Sequence, residues 1–326
     1  MHPIASRLPP ALRTATLAWL VGRALIWMTA SARGALPVSM WSPQDAAHSP
    51  LWSLWVHLCL SLDALGLSAL NLPASTWAMS LTAEAVLLAA SFAVYALVRR
   101  DAMPQTAEVA TWAWCLCPLW GALGPANAWH FGLSLALLAC AAGARARPVL
   151  ATGLFLCAVG FRIDVVVAAP LFTALMVHSW VPAKGSGAWP WAAGLVAHAS
   201  LPGSIFLAIL MGGRLGVSVR TLHPEPLMQG LPTEVGAWVV APAVLVAAAG
   251  LLAVYARQVP RFWALAALML PWPLLFAPPQ ALLPVLLLAF PLYGILGRAC
   301  EEPGRQRVLL MGCALVTLGL GGASWL

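Results

Sequence analysis

An all-α membrane protein, a polytopic transmembrane bundle of about 10–11 spans, is predicted by three observations. Hydrophobic residues make up 62% of the 326-residue chain and charged residues 8%. A soluble domain carries about 25% charged residues, so composition excludes the ordinary soluble classes. Apolar runs near the length needed to cross a bilayer recur along the whole sequence. The basic residues, finally, fall unequally into alternate loops.

A spanning helix needs about 20 mostly apolar residues. That criterion places spans at 12–31, 74–98, 107–123, 127–144, 149–162, 164–181, 187–211, 236–256, 262–277, 280–297 and 308–325. The region 149–181 reads equally as one bent hairpin. The segment 50–70 is apolar but holds His57 and Asp63, which predicts a helix lying in the interface rather than across it. The 17 Trp residues suit a chain with many membrane interfaces. The 27 Pro and 26 Gly would break many helices, and in a bilayer such breaks persist only inside protein or beside a wet cavity.

With the N-terminus cytoplasmic, the same side receives Arg7, Arg13, Arg99, Arg100, Arg145, Arg147, Lys184, Arg257, Arg261, Arg298, Arg305 and Arg307. The opposite side receives Arg33, Arg162, Arg214 and Arg220, and Arg23 falls inside the first span. Twelve against four follows the positive-inside rule, and it absorbs the net charge of +7 without a nucleic-acid partner. The predicted location is the plasma (inner) membrane. The first external loop with its interfacial helix (32–73) and the loop 212–235 then face outward, as do the turns at Gly124–Asn127 and Pro278–Gln280. No internal repeat or soluble domain is visible, so residues 1–326 read as one membrane domain with its chemistry at the external face. The first apolar run lacks a small-residue cleavage site, so a cleaved signal peptide is not expected. The seven Cys are scattered without metal or redox spacing and read as packing residues.

Candidate site residues come from that outward face. Asp45 is the only acid before Asp63 and could act as a general base toward a hydroxyl; it could equally be solvated or cap the interfacial helix. His48 follows three residues later and could orient Asp45 or an acceptor. His57 and Asp63 read as the polar side of the interfacial helix. In Gly160-Phe161-Arg162-Ile163-Asp164, an Arg costs roughly 2.5–3.5 kcal/mol in hydrocarbon and must reach water, a carboxylate or an anion. It either pairs with Asp164 or holds a phosphate, whose oxygens match the guanidinium fork. Arg214, Arg220, His223 and Glu225 lie on a loop long enough to cover a cavity mouth or to meet anionic headgroups. Asn127, Trp129 and His130 follow the outward turn at Pro125, and Glu84 is an acid within a span. No Walker loop, dinucleotide fingerprint or His-Glu-x-x-His occurs, which excludes nucleotide hydrolysis and zinc proteolysis of those kinds. No ligand cluster indicates a divalent metal.

His48-Ser49-Pro50-Leu51-Trp52-Ser53-Leu54-Trp55-Val56-His57-Leu58 resembles the "HPPLYYLLLHL" segment of the GT-C membrane glycosyltransferases, especially their bacterial branch similar to the protein mannosyltransferases. Further segments keep the family's order: Arg99-Arg100, Cys117-Pro118-Leu119-Trp120, Asn127 to Leu133, and Gly153 to Pro170 with Arg162 on the family's Arg. Pro279-Gln280-Ala281-Leu282-Leu283-Pro284 with Phe290-Pro291-Leu292 is similar to the family's C-terminal pattern, and the resemblance covers about residues 12–300. The chain departs from the family at its acidic first-loop motif: Trp27 to Gly34 contains no acid, and Gln280 stands at an Arg position.

The resemblance implies a GT-C-like bundle and an inverting hexosyltransferase. The donor would be a polyprenyl-phosphate sugar, such as mannose or another hexose, and the acceptor a lipid, glycan or protein at the external face. Asp45 would be the base, and Arg162 would contact the donor phosphate with Asp164 beside it. Arg214 or Arg220 would close the site, while His48, Asn127, His130 and Gln280 would bind substrate. Two other readings stand beside it: a catalytically degenerate member that binds a lipid-linked substrate or partner, and a transporter or flippase.

Overall fold

The computed structural model describes residues 9–32, 50–63, 68–69, 72–123, 128–169, 171–172, 175–176 and 286–322. These residues are almost entirely helical. In chain order they form α1 (Pro10–Ala32), α2 (Pro50–Asp63), α3 (Ala74–Asp101), α4 (Pro104–Cys115), α5 (Pro118–Leu123), α6 (Ala128–Ala144) and α7 (Pro148–Phe161). After the 3₁₀ turns Ile163–Ala168 and Leu286–Leu288 come α8 (Phe290–Ala299) and α9 (Pro303–Gly322). A two-residue antiparallel ladder, β1 (Ser68–Ala69) with β2 (Leu72–Pro73), lies between α2 and α3. The segments expected at 12–31, 74–98, 127–144 and 149–162 are helices with ends close to those read from the sequence. Those at 187–211, 236–256 and 262–277 lie outside the described residues.

Among the described helices, α3 is the one that is both long and apolar enough to cross a membrane, and half of its most apolar stretch is buried. Its 28 residues extend about 42 Å, more than a hydrocarbon core of about 30 Å. Helix α1 packs against it in the opposite sense: the Ser91 hydroxyl donates to the Ala15 carbonyl at 3.4 Å, and Arg23 meets Glu84 further along. Gly22 lets α1 approach α4. A Cβ there would overlap the Cys115 carbonyl, a backbone atom that no side-chain rotation can move.

The expected single span over 107–123 is two helices. Pro118 has no N–H to continue α4, so the chain breaks at Leu116–Cys117 and restarts with Pro118 in the first turn of α5. Side chains satisfy the carbonyls this exposes. The Trp120 indole donates to the Trp114 carbonyl at 3.0 Å, and the Thr317 hydroxyl on α9 donates to the Leu116 carbonyl at 3.3 Å. The Trp114 indole in turn donates to the Leu287 carbonyl at 2.8 Å, beside a second break ahead of α8. Each break is thus closed by a partner from another element, as an interior without water requires.

Helices α6 and α7 are joined by a tight turn at Ala146, whose φ of 55° is left-handed, with the Arg147 amide donating back to the Ala142 carbonyl at 3.1 Å. Their shared core includes Leu133, Leu137 and a Phe155–Phe172 stack 4.6 Å apart.

The two ends of α3 differ in chemistry. At its start, the carboxylate of Asp63, the last residue of α2, accepts from the Ser75 amide at 2.9 Å and the Ser75 hydroxyl at 2.6 Å. Asp63 is therefore a cap on the first turn of α3, not merely the polar side of α2. At its end stand Arg99 and Arg100. Immediately beyond them, Gln105 donates to the Glu301 carbonyl at 2.8 Å, Thr106 donates to the Glu301 carboxylate, and Glu301 also pairs with Arg298. Burial raises the Glu301 pKa, but the Arg298 and Thr106 hydrogen bonds outweigh it and hold the group below its usual range.

The Asp63 cap has a measurable consequence. The Ser75 hydroxyl, then the Ser75 amide, hold the Asp63 carboxyl below its ordinary range, against a smaller opposing effect of burial. A depressed carboxyl adds stability above its unfolded pKa, and loses it as pH falls through the folded value. Acid should therefore loosen the α2–α3 corner, read as faster amide exchange at 74–77, and Asp63→Asn should remove that part of the pH dependence. A pH profile identical in wild type and variant would rule the cap out.

Candidate functional site

The end of α7 is held by a run of three consecutive residues. Gly160 faces Leu51 of α2 so closely that a Cβ would overlap the leucine side chain. Phe161 stacks on Phe131 of α6 with ring centroids 4.9 Å apart. Arg162, in extended conformation at φ −152°, ends α7 and starts the 3₁₀ turn. Gly132 admits this turn, because a Cβ there would lie 2.9 Å from the Arg162 Cβ. The segment singled out in the sequence thus docks on α2 and α6 together.

Arg162 and Asp164 are both buried, and the Arg162 Nε donates to Asp164 Oδ2 at 2.8 Å. The guanidinium lies 4.5 Å from the centroid of the Trp129 ring, so a cation–π contact offsets part of its desolvation. Of the two outcomes the sequence left for Arg162, the carboxylate pair is present. It does not preclude an anion, since a guanidinium carries five N–H donors in a fixed fork.

His130 is fully buried, and its ring lies 5.3 Å from Trp120, which packs edge-on to Trp114 at 5.1 Å. His130 is therefore part of the aromatic packing around the α4–α5 break. One turn on, the buried Ser134 hydroxyl has no hydrogen-bond partner. Beside Phe131, Trp52 and Trp55 of α2 place their rings 5.5 Å and 6.4 Å away. Asp45, His48, Asn127, Arg214, Arg220 and Gln280 lie outside the described residues, as do His223 and Glu225. Of the candidates, the structure therefore brings together Arg162, Asp164 and Trp129, with His130 following Trp129 on α6.

A second charged centre was not recognised as a pair from the sequence. The Arg23 Nε lies 2.8 Å from each Glu84 carboxylate oxygen, Nη2 donates to Oε1 at 2.7 Å, and the Trp27 indole donates to Oε1 at 2.8 Å. Arg23 and Trp27 are one helical turn apart and so face Glu84 together. The signal was available: two opposite charges inside two apolar runs have few other places to go.

These pairings decide which acids are engaged. Asp63 is held by Ser75, Asp164 by Arg162, and Glu84 by Arg23 and Trp27. Among the described residues no three His, Cys, Asp or Glu side chains converge as a metal site would require. Cys59 on α2 is packed rather than poised, with burial first and Asp63 second pushing its thiol up to about 11. No family model, curated protein or solved structure matches the chain.

Proposed function

We propose that this chain is a polytopic membrane glycosyltransferase of the GT-C type. It moves a hexose from a polyprenyl-phosphate carrier to a lipid, glycan or protein acceptor at the external face. The observation that carries the reading is the buried Arg162–Asp164 pair over Trp129, at the end of the molecule where α2 lies. Asp63 of α2 caps the start of α3, whereas Arg99 and Arg100, assigned to the cytoplasmic side, stand at its other end. A buried guanidinium beside an interfacial helix suits the phosphate of a carrier whose lipid tail stays in the bilayer.

The membrane-spanning reading is supported by the outer faces of the helices. Val308, Met311, Leu315 and Leu318 are exposed along one side of α9, as are Leu17, Leu20 and Met28 on α1. Such faces are costly in water and unremarkable in lipid.

In the reaction, the acceptor hydroxyl gives its proton to a carboxylate as its oxygen attacks the anomeric carbon. The bond from that carbon to the carrier phosphate breaks, the configuration inverts, and the phosphate leaves with its negative charge. The leaving group needs charge stabilisation more than a proton, and Arg162 supplies it. The base assigned is Asp45, as the family resemblance implies, while Asp63, Glu84 and Asp164 are each held by other groups. His48, Asn127, Arg214, Arg220 and Gln280 remain assigned to substrate binding. One alternative has a specific ground: the absence of any acid in Trp27 to Gly34 favours a degenerate member that binds the carrier without transfer.

The test is transfer in vesicles containing the purified protein, radiolabelled polyprenyl-phosphate hexoses and extracted acceptors. Wild type should form a new glycosidic bond, and Asp45→Asn should lower the rate at least about 100-fold, the lower range for a general base. Transfer at the wild-type rate in the variant removes Asp45 as base. Carrier binding with no product from any donor selects the degenerate reading. Sugar crossing the vesicle without a new bond selects transport.

A further inference from the structure

We infer that the aromatic cluster between α2, α6 and α7 is a binding site for a neutral pyranose ring, with Trp52 and Trp55 as its hydrogen-bond donors. The inference rests on the glycosyltransferase reading for its choice of ligand, the hexose of the carrier-linked donor. The observation behind it is independent. The indole nitrogens of Trp52 and Trp55 are both buried, and neither has a hydrogen-bond partner. Trp52 as a residue is 2% exposed.

An indole N–H can only donate, and buried donors in folded proteins are almost always paired. Two unpaired indole donors lie three residues apart on one helix, and both rings pack on Phe131. Among the described residues, the hydrophobic side chains packed with them include Val56, Ala83, Ala128, Met79 and Val86, and Phe131 stacks on Phe161. A ligand carrying oxygen acceptors would satisfy both donors.

The chemistry of the cluster selects that ligand. An acyl chain would match the apolar rings but leave both donors unmade. A bare phosphate would be drawn to a cation rather than to two neutral donors. A pyranose satisfies both demands, with hydroxyl oxygens for the indoles and C–H faces for the aromatic rings. Such contacts match the way ligand sites combine apolar walls with a few placed polar groups. The position also fits a sugar phosphate, because Phe161 of the cluster directly precedes Arg162, and Gly132 beside Arg162 directly follows Phe131.

Trp52→Phe and Trp55→Phe keep an aromatic ring and remove only the donor. The experiment measures binding of the full-length protein in nanodiscs to polyprenyl-phosphate mannose, polyprenyl-phosphate glucose and polyprenyl phosphate lacking a sugar. Each single variant should bind the two sugar-bearing carriers about tenfold more weakly, the effect of one lost hydrogen bond. Binding of the bare carrier should stay at the wild-type level, which also shows that the variants are folded. Equal loss with all three carriers, or no loss in the double variant, overturns the sugar site. Wild type that binds no carrier overturns the site and the glycosyltransferase reading together. Sugar-selective binding that the variants abolish, with no transfer to any acceptor, supports the site while removing the transfer reaction.

Discussion

Glu84→Leu is expected to destabilise the folded protein by about 3–5 kcal/mol, the usual cost of removing one partner from a buried ion pair. The variant leaves the Arg23 guanidinium, 8% exposed at the side chain, without its carboxylate, and also removes the acceptor of the Trp27 indole. The effect would be read as a large drop in the temperature at which the detergent-solubilised protein loses its monodisperse elution. The decisive comparison is the double variant Arg23→Met/Glu84→Leu, which removes both charges. It should recover most of the lost stability, because the desolvation cost of the charges disappears with them. A double variant as unstable as the sum of the two singles would mean that Arg23 and Glu84 act independently. The pair matters because it joins α1 to α3 well inside both helices. Its three N–H···O contacts from Arg23 fix register as well as proximity.

The second large effect concerns Arg162. Under the proposed glycosyltransferase reading, Arg162→Met should lower transfer about 10²–10³-fold in kcat, the range for losing one group that stabilises developing charge. Arg162→Lys should recover little of this, since an ammonium on a flexible stem lacks the planar fork and stacks less well on Trp129. Folding and chemistry can be separated at this position. Arg162→Met alone leaves Asp164 buried without its cation, so the fold suffers too. Adding Asp164→Asn removes that penalty, and the double variant should regain stability while remaining inactive. Wild-type transfer in this double variant would exclude Arg162 from the reaction and confine it to holding the end of α7.

The helices themselves were largely legible. The apolar runs at 12–31, 74–98, 127–144 and 149–162 give helices because runs of that length bury their backbone groups best as helices. The helix read at 50–70 is present but stops at Asp63, where the carboxylate turns to cap α3. The run 107–123 was the clearest miss in detail. Its hydropathy is continuous, while Pro118 divides it, and a hydropathy window does not register one missing N–H.

The candidate site was legible in part. Arg162 and Asp164 stood out because charge in an apolar setting must be compensated, and two residues of separation made each the other's nearest option. His130 also stood out, as a polar residue after an outward turn, but its placement beside Trp120 could not be read from position alone. Trp52 and Trp55 gave no polar signal, because indole reads as apolar until its N–H is found without a partner.

By itself the sequence determined where helices form among the described residues and which residues' charge would need a partner. These follow from composition and local pattern, through backbone hydrogen bonding and the cost of buried charge. Only the tertiary structure decided the partners. It set Arg23 and Trp27 against Glu84, Asp63 against the first turn of α3, and Trp52 and Trp55 against Phe131. Partners across 12 to 79 residues are chosen by how helix faces meet in space, and hydropathy along the chain carries no record of that choice.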